Sequence, residues 1–149
     1  MTDDGSAPAS LPRTHSPSSR RGHNDAFIIL RTLKKHNPAI KAIAVEPGES
    51  AVLWGGAPAV HNIEGVGIGY TPPLWDPSVV DGIEAVTTDD AKEMARRLAR
   101  EEGIFAGTSS GANVAAALRI AKKLGPNKTV VTLMVDSGLK YVNTDVYRR

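Results

Sequence analysis

Two short stretches and one glycine loop hold the residues best placed to do chemistry. "GTSSG" (Gly107 to Gly111) sets Thr108, Ser109 and Ser110 between glycines, just ahead of a small-residue run. "DSG" (Asp136 to Gly138) follows the apolar run Lys128 to Val135. Gly65, Gly67 and Gly69 lie in "GVGIGY", where a backbone loop can close over a ligand. A helix N-terminus offers unpaired N–H groups and the positive end of a dipole. Ser109 or Ser110 is expected to cap such a helix, and a capped helix with no ligand is the alternative reading. Ser137 can donate to a ligand at a strand end, and a plain strand-to-loop turn would use the same residues.

Other chemistries find less support. "GTSSG" contains G-x-S-x-G, the nucleophile-elbow pattern, with Ser109 at its centre. A hydrolase would need a histidine downstream, and none follows His61. His15, His23, His36 and His61 show no metal spacing, and His61 is expected to be a solvated loop residue. No G-x-x-x-x-G-K-[ST] occurs, nor a G-x-G-x-x-G between a strand and a helix. Glu46 therefore has no glycine loop with which to hold a dinucleotide.

These stretches need elements to position them. Residues 1–23 are Ser-, Pro- and Arg-rich, bury too little to offset their ordering entropy, and read as a disordered tail. A helix is predicted from Asn24 or Asp25 to His36, stopped at Pro38, with Lys34, Lys35 and His36 at its cation-favouring end. Ile40 to Pro47 reads as a strand buried on both faces, and Glu49 to Trp54 as a short helix. Gly55 to Asp81 is a long loop, of a length that is usually functional. Ile83 to Val86 reads as a strand. Thr87 with Asp90 resembles a capping box for a helix with an Ala91, Met94, Ala95, Leu98, Ala99 stripe. Glu93–Arg97 and Arg97–Glu101 are its i,i+4 pairs, and Gly103 ends it. Ile104 to Ala106 reads as a brief strand, Ser110 to Leu124 as a helix, Lys128 to Val135 as a strong buried strand, and the rest as a turn and a short helix. Helices alternating with strands argue for an α/β fold around a parallel sheet.

The chain has 149 residues and a net charge of +2. Its basic residues alternate with acids, as at Glu93, Arg96, Arg97, Arg100 and Glu101, so the footprint of a nucleic-acid reader is missing. The absence of cysteine rules out disulfides, thiolate metal sites and cysteine nucleophiles, and fits a cytoplasmic protein. No apolar run approaches the ~20 residues a membrane helix needs.

Four stretches in this order, "AIAVEPGES", "GVGIGYTPPLWD", "TTDDAKEMARRLAREEGIFAGTSSGANVAAAL" and "DSGLKYVNTD", closely resemble the C-terminal part of the cysteine synthase (O-acetylserine sulfhydrylase) family. This β-family of pyridoxal-phosphate enzymes also holds cystathionine β-synthase. The resemblance runs from about Leu33 to Tyr147. It implies an incomplete three-layer α/β half-fold of the tryptophan synthase β-like type over residues 24–149, with the cofactor pyridoxal 5'-phosphate held between two domains. It implies replacement of the acetate of O-acetylserine by sulfide to give cysteine. By position it makes Ser137 the partner of the pyridine nitrogen, which a neutral hydroxyl leaves unprotonated. It makes Gly65, Gly67 and Gly69 the cofactor-lining loop, and Thr108, Ser109 and Ser110 the wall of the substrate cleft, with the thin helix packed under the sheet.

The family's Schiff-base lysine and substrate loop have no counterpart in these residues. "RGHND" (Arg21 to Asp25) stands where the glycine-rich phosphate loop belongs. The resemblance thus implies a small amino-acid substrate for the family, with poor cofactor retention and no catalysis by this chain alone. A non-catalytic module pairing with a full-length relative is the alternative. Strands without their neighbours predict exposed apolar edges and self-association, including homo-oligomers.

Overall fold

The computed structural model describes residues 21–148. The expectation of a disordered tail falls outside these residues, apart from Arg21 to His23, which open a helix. That helix, α1 (Arg21–His36), starts three residues before the expected cap. Arginine is a good helix former, and Asn24 and Asp25 cost little inside a helix. Its C-terminal turn carries Lys34, Lys35 and His36 as predicted. The Phe27 ring meets Trp75 edge-on at 6.0 Å, and Lys34 pairs with Asp81 at 2.5 Å. These contacts tie α1 to the loop before the second strand.

Strands β1 (Ile43–Pro47) and β2 (Gly82–Val86) form a two-stranded parallel sheet. The register runs from Ile43 opposite Gly82 to Pro47 opposite Val86. β1 is shorter than the predicted Ile40 to Pro47, because pairing starts only where β2 lies alongside. The expected helix after it is two 3₁₀ turns, Gly48–Ser50 and Val52–Trp54.

Helix α2 (Thr88–Glu101) follows its sequence signals closely. Thr87 Oγ1 accepts the Asp90 N–H at 3.2 Å. Ala91, Ala95 and Leu98 are buried, and Met94 packs against the core. Arg97 takes Glu101 with both forks, at 3.0 and 2.9 Å. Glu93 instead pairs with Arg96 and Arg100, not with Arg97. The i+3 and i+7 positions share its face, and Arg97 is already committed.

Helix α3 (Thr108–Leu124) begins two residues earlier than predicted, with Gly107 as N-cap and no side-chain cap. Ser109 and Ser110 are therefore inside the first turn rather than capping it. The helix packs chiefly on α2. A Cβ at Gly111 would run into the Ala91 carbonyl and stand 2.9 Å from the Ala95 nitrogen. The thin helix thus serves a close helix–helix approach. The expected strand Ile104 to Ala106 shrinks to a single antiparallel bridge, Ala106 opposite Ser137.

The clearest departure is Lys128 to Val135. It forms no strand, and Val131 is 84% exposed and Leu133 67%. A strand buried on both faces needs neighbours at its edges and layers above and below. The sheet described here has two strands, and neither edge receives this segment. It is held by the Asn113 amide donating to the Leu133 carbonyl (3.1 Å) and by the Val135 N–H donating to Ser110 Oγ (3.0 Å).

Candidate functional site

The first turn of α3 is the hub on which the predicted stretches meet. Thr108, only 1% exposed, accepts the Glu64 N–H on Oγ1 at 3.2 Å and so anchors the start of the glycine loop. Asp136 anchors the other side. Its Oδ1 accepts from the Gly107 N–H at 3.2 Å, from Ser110 Oγ at 2.9 Å and from Ser109 Oγ at 3.4 Å. Its Oδ2 accepts from the Tyr141 hydroxyl at 2.6 Å. Lys140 then bridges back to Glu64 at 2.5 Å. Residues 61–69, 107–111 and 135–141 are thereby fastened into one framework.

Tyr141 closes the underside and is buried. Its burial, together with the Asp136 carboxylate, raises its phenol pKa far above the ordinary range. Glu64 is held below its ordinary value, first by the Lys140 hydrogen bond. A cleft of about 430 Å³ opens between the segments, lined among others by His61, Glu64, Lys92, Thr108, Lys140 and Asp145. Both lysines there are ion-paired: Lys140 with Glu64, and Lys92 with Asp145 at 2.5 Å.

The predicted site residues distribute as follows. Thr108, Ser109 and Ser110 are all buried, and only Thr108 lines the cleft. Ser137 is exposed, and its Oγ accepts the Leu139 N–H at 3.3 Å. Its own proton remains for an acceptor. Gly65, Gly67 and Gly69 all hold positive φ, at 83°, 61° and 82°. A Cβ on Gly65 would meet no atom within 4 Å, so that bend faces open space. The elbow reading of Ser109 fails on geometry: its hydroxyl faces a carboxylate, and both ring nitrogens of His61 are used elsewhere.

Sequence reasoning missed three contributors. Asp136 was visible as the acid of "DSG", and its signal was the pair of hydroxyls that needed an acceptor. His61 is not solvated as expected: Nε2 meets the Gly67 carbonyl at 2.8 Å and Nδ1 accepts the Ile63 N–H at 3.3 Å. The Glu64–Lys140 link joins residues too far apart in the chain for any spacing rule to register.

The parallel sheet, the glycine loop at its carboxyl end and the hydroxyl-rich helix start define a class of protein. A family description for pyridoxal-phosphate dependent enzymes matches residues 28–136, and the chain belongs to that family. Within it, the chain is 46% identical over 117 residues to a cysteine synthase of Staphylococcus aureus, covering 78% of this chain. Its fold matches the crystal structure of O-acetylserine sulfhydrylase isoform 3 from Entamoeba histolytica with a TM-score of 0.78 and 41% identity. That match covers 80% of this chain and 36% of that one. An O-acetylserine dependent cystathionine β-synthase from Helicobacter pylori matches at a TM-score of 0.75 and 37% identity, over 80% of this chain and 39% of that one. The chain spans 38% of the length of the S. aureus relative. The fold is accordingly the cysteine synthase type in part, an α/β parallel-sheet arrangement that this chain does not complete.

The family's cofactor can be tested against the residues present. Ser137 keeps its own proton for an acceptor such as a ring nitrogen, and the Gly65 bend, elsewhere in the framework, faces open space. Residues 21–25 are the opening turns of α1 rather than a glycine loop, so no phosphate cradle of the family's kind is present there. The fit therefore extends to the ring edge and not to the phosphate. Among the described residues, no helix is long and apolar enough to cross a membrane.

Proposed function

We propose that this chain carries the ring-binding part of a cysteine synthase-like enzyme and is catalytically silent by itself. The observation that carries this reading is that the first turn of α3 holds both Glu64, the residue before the Gly65–Gly69 loop, and Asp136, the residue before Ser137. Pyridoxal phosphate, when bound by a complete family member, spreads the charge that builds at the substrate α-carbon. In this chain the Ser137 hydroxyl would donate to the ring nitrogen, and the left-handed Gly65, Gly67 and Gly69 would line the ring. Asp136 holds the turn that carries Ser137, and Thr108 holds the loop.

Lys92 and Lys140 are the amines that line the cleft, and each is locked to a carboxylate. A paired ammonium is a poor nucleophile, so neither replaces the family's lysine. The reaction of the complete enzyme is β-replacement on an O-acetylserine-type amino acid by sulfide, in the cytoplasm.

A second reading is favoured by the exposed apolar segment Val131 to Val135. It makes the chain a non-catalytic module that self-associates or pairs with a full-length relative.

Titration of the purified chain with pyridoxal phosphate, read by absorbance, tests the first reading. Weak binding that Ser137→Ala weakens further is expected, with no single lysine labelled after borohydride reduction and peptide mapping. One specifically labelled lysine would overturn catalytic silence. Undiminished binding by Ser137→Ala would overturn the ring assignment. Sedimentation with and without a full-length cysteine synthase tests the second reading.

A further inference from the structure

The loop from Gly55 to Asp81 is long, and its anchors lie on both sides of the stretch Gly65 to Thr71, at Trp75, Asp76 and Asp81 after it and at Ala59, Asn62 and Glu64 before it. The Ala59 N–H donates to Ser50 Oγ at 3.2 Å, the Asn62 N–H to Thr88 Oγ1 at 3.0 Å, and the Glu64 N–H to Thr108 Oγ1 at 3.2 Å. Ile63 is buried at 1% exposure. From Gly65 to Thr71, the one hydrogen bond among the described residues is the contact of His61 with Gly67. In hydrogen bonding the stretch with three left-handed glycines therefore depends on one imidazole, beside the packing of Val66 against the core.

The two partners of the ring fix its tautomer. The Gly67 carbonyl can only accept, so Nε2 carries the proton. The Ile63 amide can only donate, so Nδ1 is bare. The imidazole reads one backbone group on each side of the Glu64–Gly65 bend and holds them at a set separation. Gly67 is also clamped sterically. A Cβ there would collide with the Pro47 ring and stand 2.8 Å from His61 Nε2. Pro47 is the last residue of β1, so the ring presses the loop onto the carboxyl end of the strand, where parallel sheets present their ligands.

We infer that His61 is a positioning residue that sets the shape of the Gly65–Gly69 loop. It does so by donating from Nε2 to the Gly67 carbonyl while accepting the Ile63 N–H on Nδ1. The functional weight of that shape rests on the cofactor-loop reading above; the mechanical role does not.

The test uses the absence of cysteine. Ile68→Cys gives a single thiol on a half-exposed position, which takes a nitroxide spin label. Label mobility is then compared in backgrounds carrying His61, His61→Ala, His61→Asn and His61→Gln. Gln reaches Gly67 with an N–H donor, whereas Asn offers an acceptor near the Nδ1 position and no donor at Gly67. With His61 the label is expected to be motionally restricted. Ala and Asn should raise the ratio of mobile to restricted label roughly three- to tenfold, the population change one neutral hydrogen bond commands, and Gln should restore most of the restriction. Equal mobility in all four backgrounds overturns the inference, as does a Gln variant no better than Asn. If Ala unfolds the chain, the Gln–Asn pair still decides. Pyridoxal phosphate titration of the same variants separates the two claims. A loop that loosens in a chain that binds no cofactor leaves His61 in its role and removes the ring assignment.

Discussion

The α2–α3 pair and the segment Lys128 to Val135 are both rich in apolar residues, and they meet opposite fates. In the helices Ala91, Ala95, Ala112 and Ala116 are 0–1% exposed, while Val131 is 84% exposed. A helix closes its backbone hydrogen bonds on itself, so two helices can bury a shared stripe without help from the rest of the fold. A strand leaves every amide to be answered by a neighbour. The same hydrophobicity is thus self-sufficient in one region and dependent on further strands in the other.

Filling the helix contact should break the self-sufficient side. Gly111→Val pushes a branched side chain into the Ala91 carbonyl, and a loss of about 3 kcal/mol in urea unfolding is expected. An unchanged midpoint would mean that the helices do not approach closely in solution.

Asp136→Ala comes next. It strips acceptors from Gly107, Ser109, Ser110 and Tyr141, and a loss of about 2 kcal/mol is expected, since four bonds sharing one carboxylate do not add. The Tyr141 phenol should ionise at lower pH in this variant, because one of the causes that raise it is gone. Ultraviolet titration reads that shift.

On the dependent side, Val131→Lys with Leu133→Lys should change unfolding by no more than ~0.5 kcal/mol, as befits exposed positions. The same pair should shift sedimentation towards monomer. A large stability loss would show that this segment is buried after all, and the contrast between the regions would fall.

Acid gives the smallest and most gradual effect. Asp76 is lowered to about 2, first by Ser78 hydrogen bonding and then by Arg31. Asp81 is lowered by Lys34 and the Ala42 N–H, and Glu64 by Lys140. Each carboxyl titrates lower folded than unfolded, so its contribution is full above about pH 5 and is lost as pH falls through the folded values. Urea midpoints should be flat from neutrality to about pH 5 and decline towards pH 2, less steeply in Asp81→Asn.

What could be read in advance divides along the same line. The Thr87 cap, the α2 stripe, the Gly103 stop and the Arg97–Glu101 pair are local, and local chemistry decides them. The extent of β1 and the fate of Lys128 to Val135 depend on which strands lie alongside, which no window of residues encodes. At the site, the stretches that meet were legible as motifs. Their fastening was not, because Asp136, His61 and the Glu64–Lys140 pair act across long separations. Ser109 and Ser110 looked like caps because serine usually is one there; a carboxylate from a distant turn claimed them instead.

The close packing at Gly111 also bears on the order of events during folding. α2 and α3 are joined by residues 102–107, so their contact closes a short loop, whereas β1 meets β2 across the whole Gly48 to Asp81 excursion. Short closures are fast and long ones slow. The helical hairpin is expected to form the nucleus, and the framework linking Glu64, Asp136 and Lys140 to assemble last. Substitutions at Gly111 should then slow refolding, while those at Asp136 should chiefly hasten unfolding. The candidate site would be the last part of the molecule to form and the first to open.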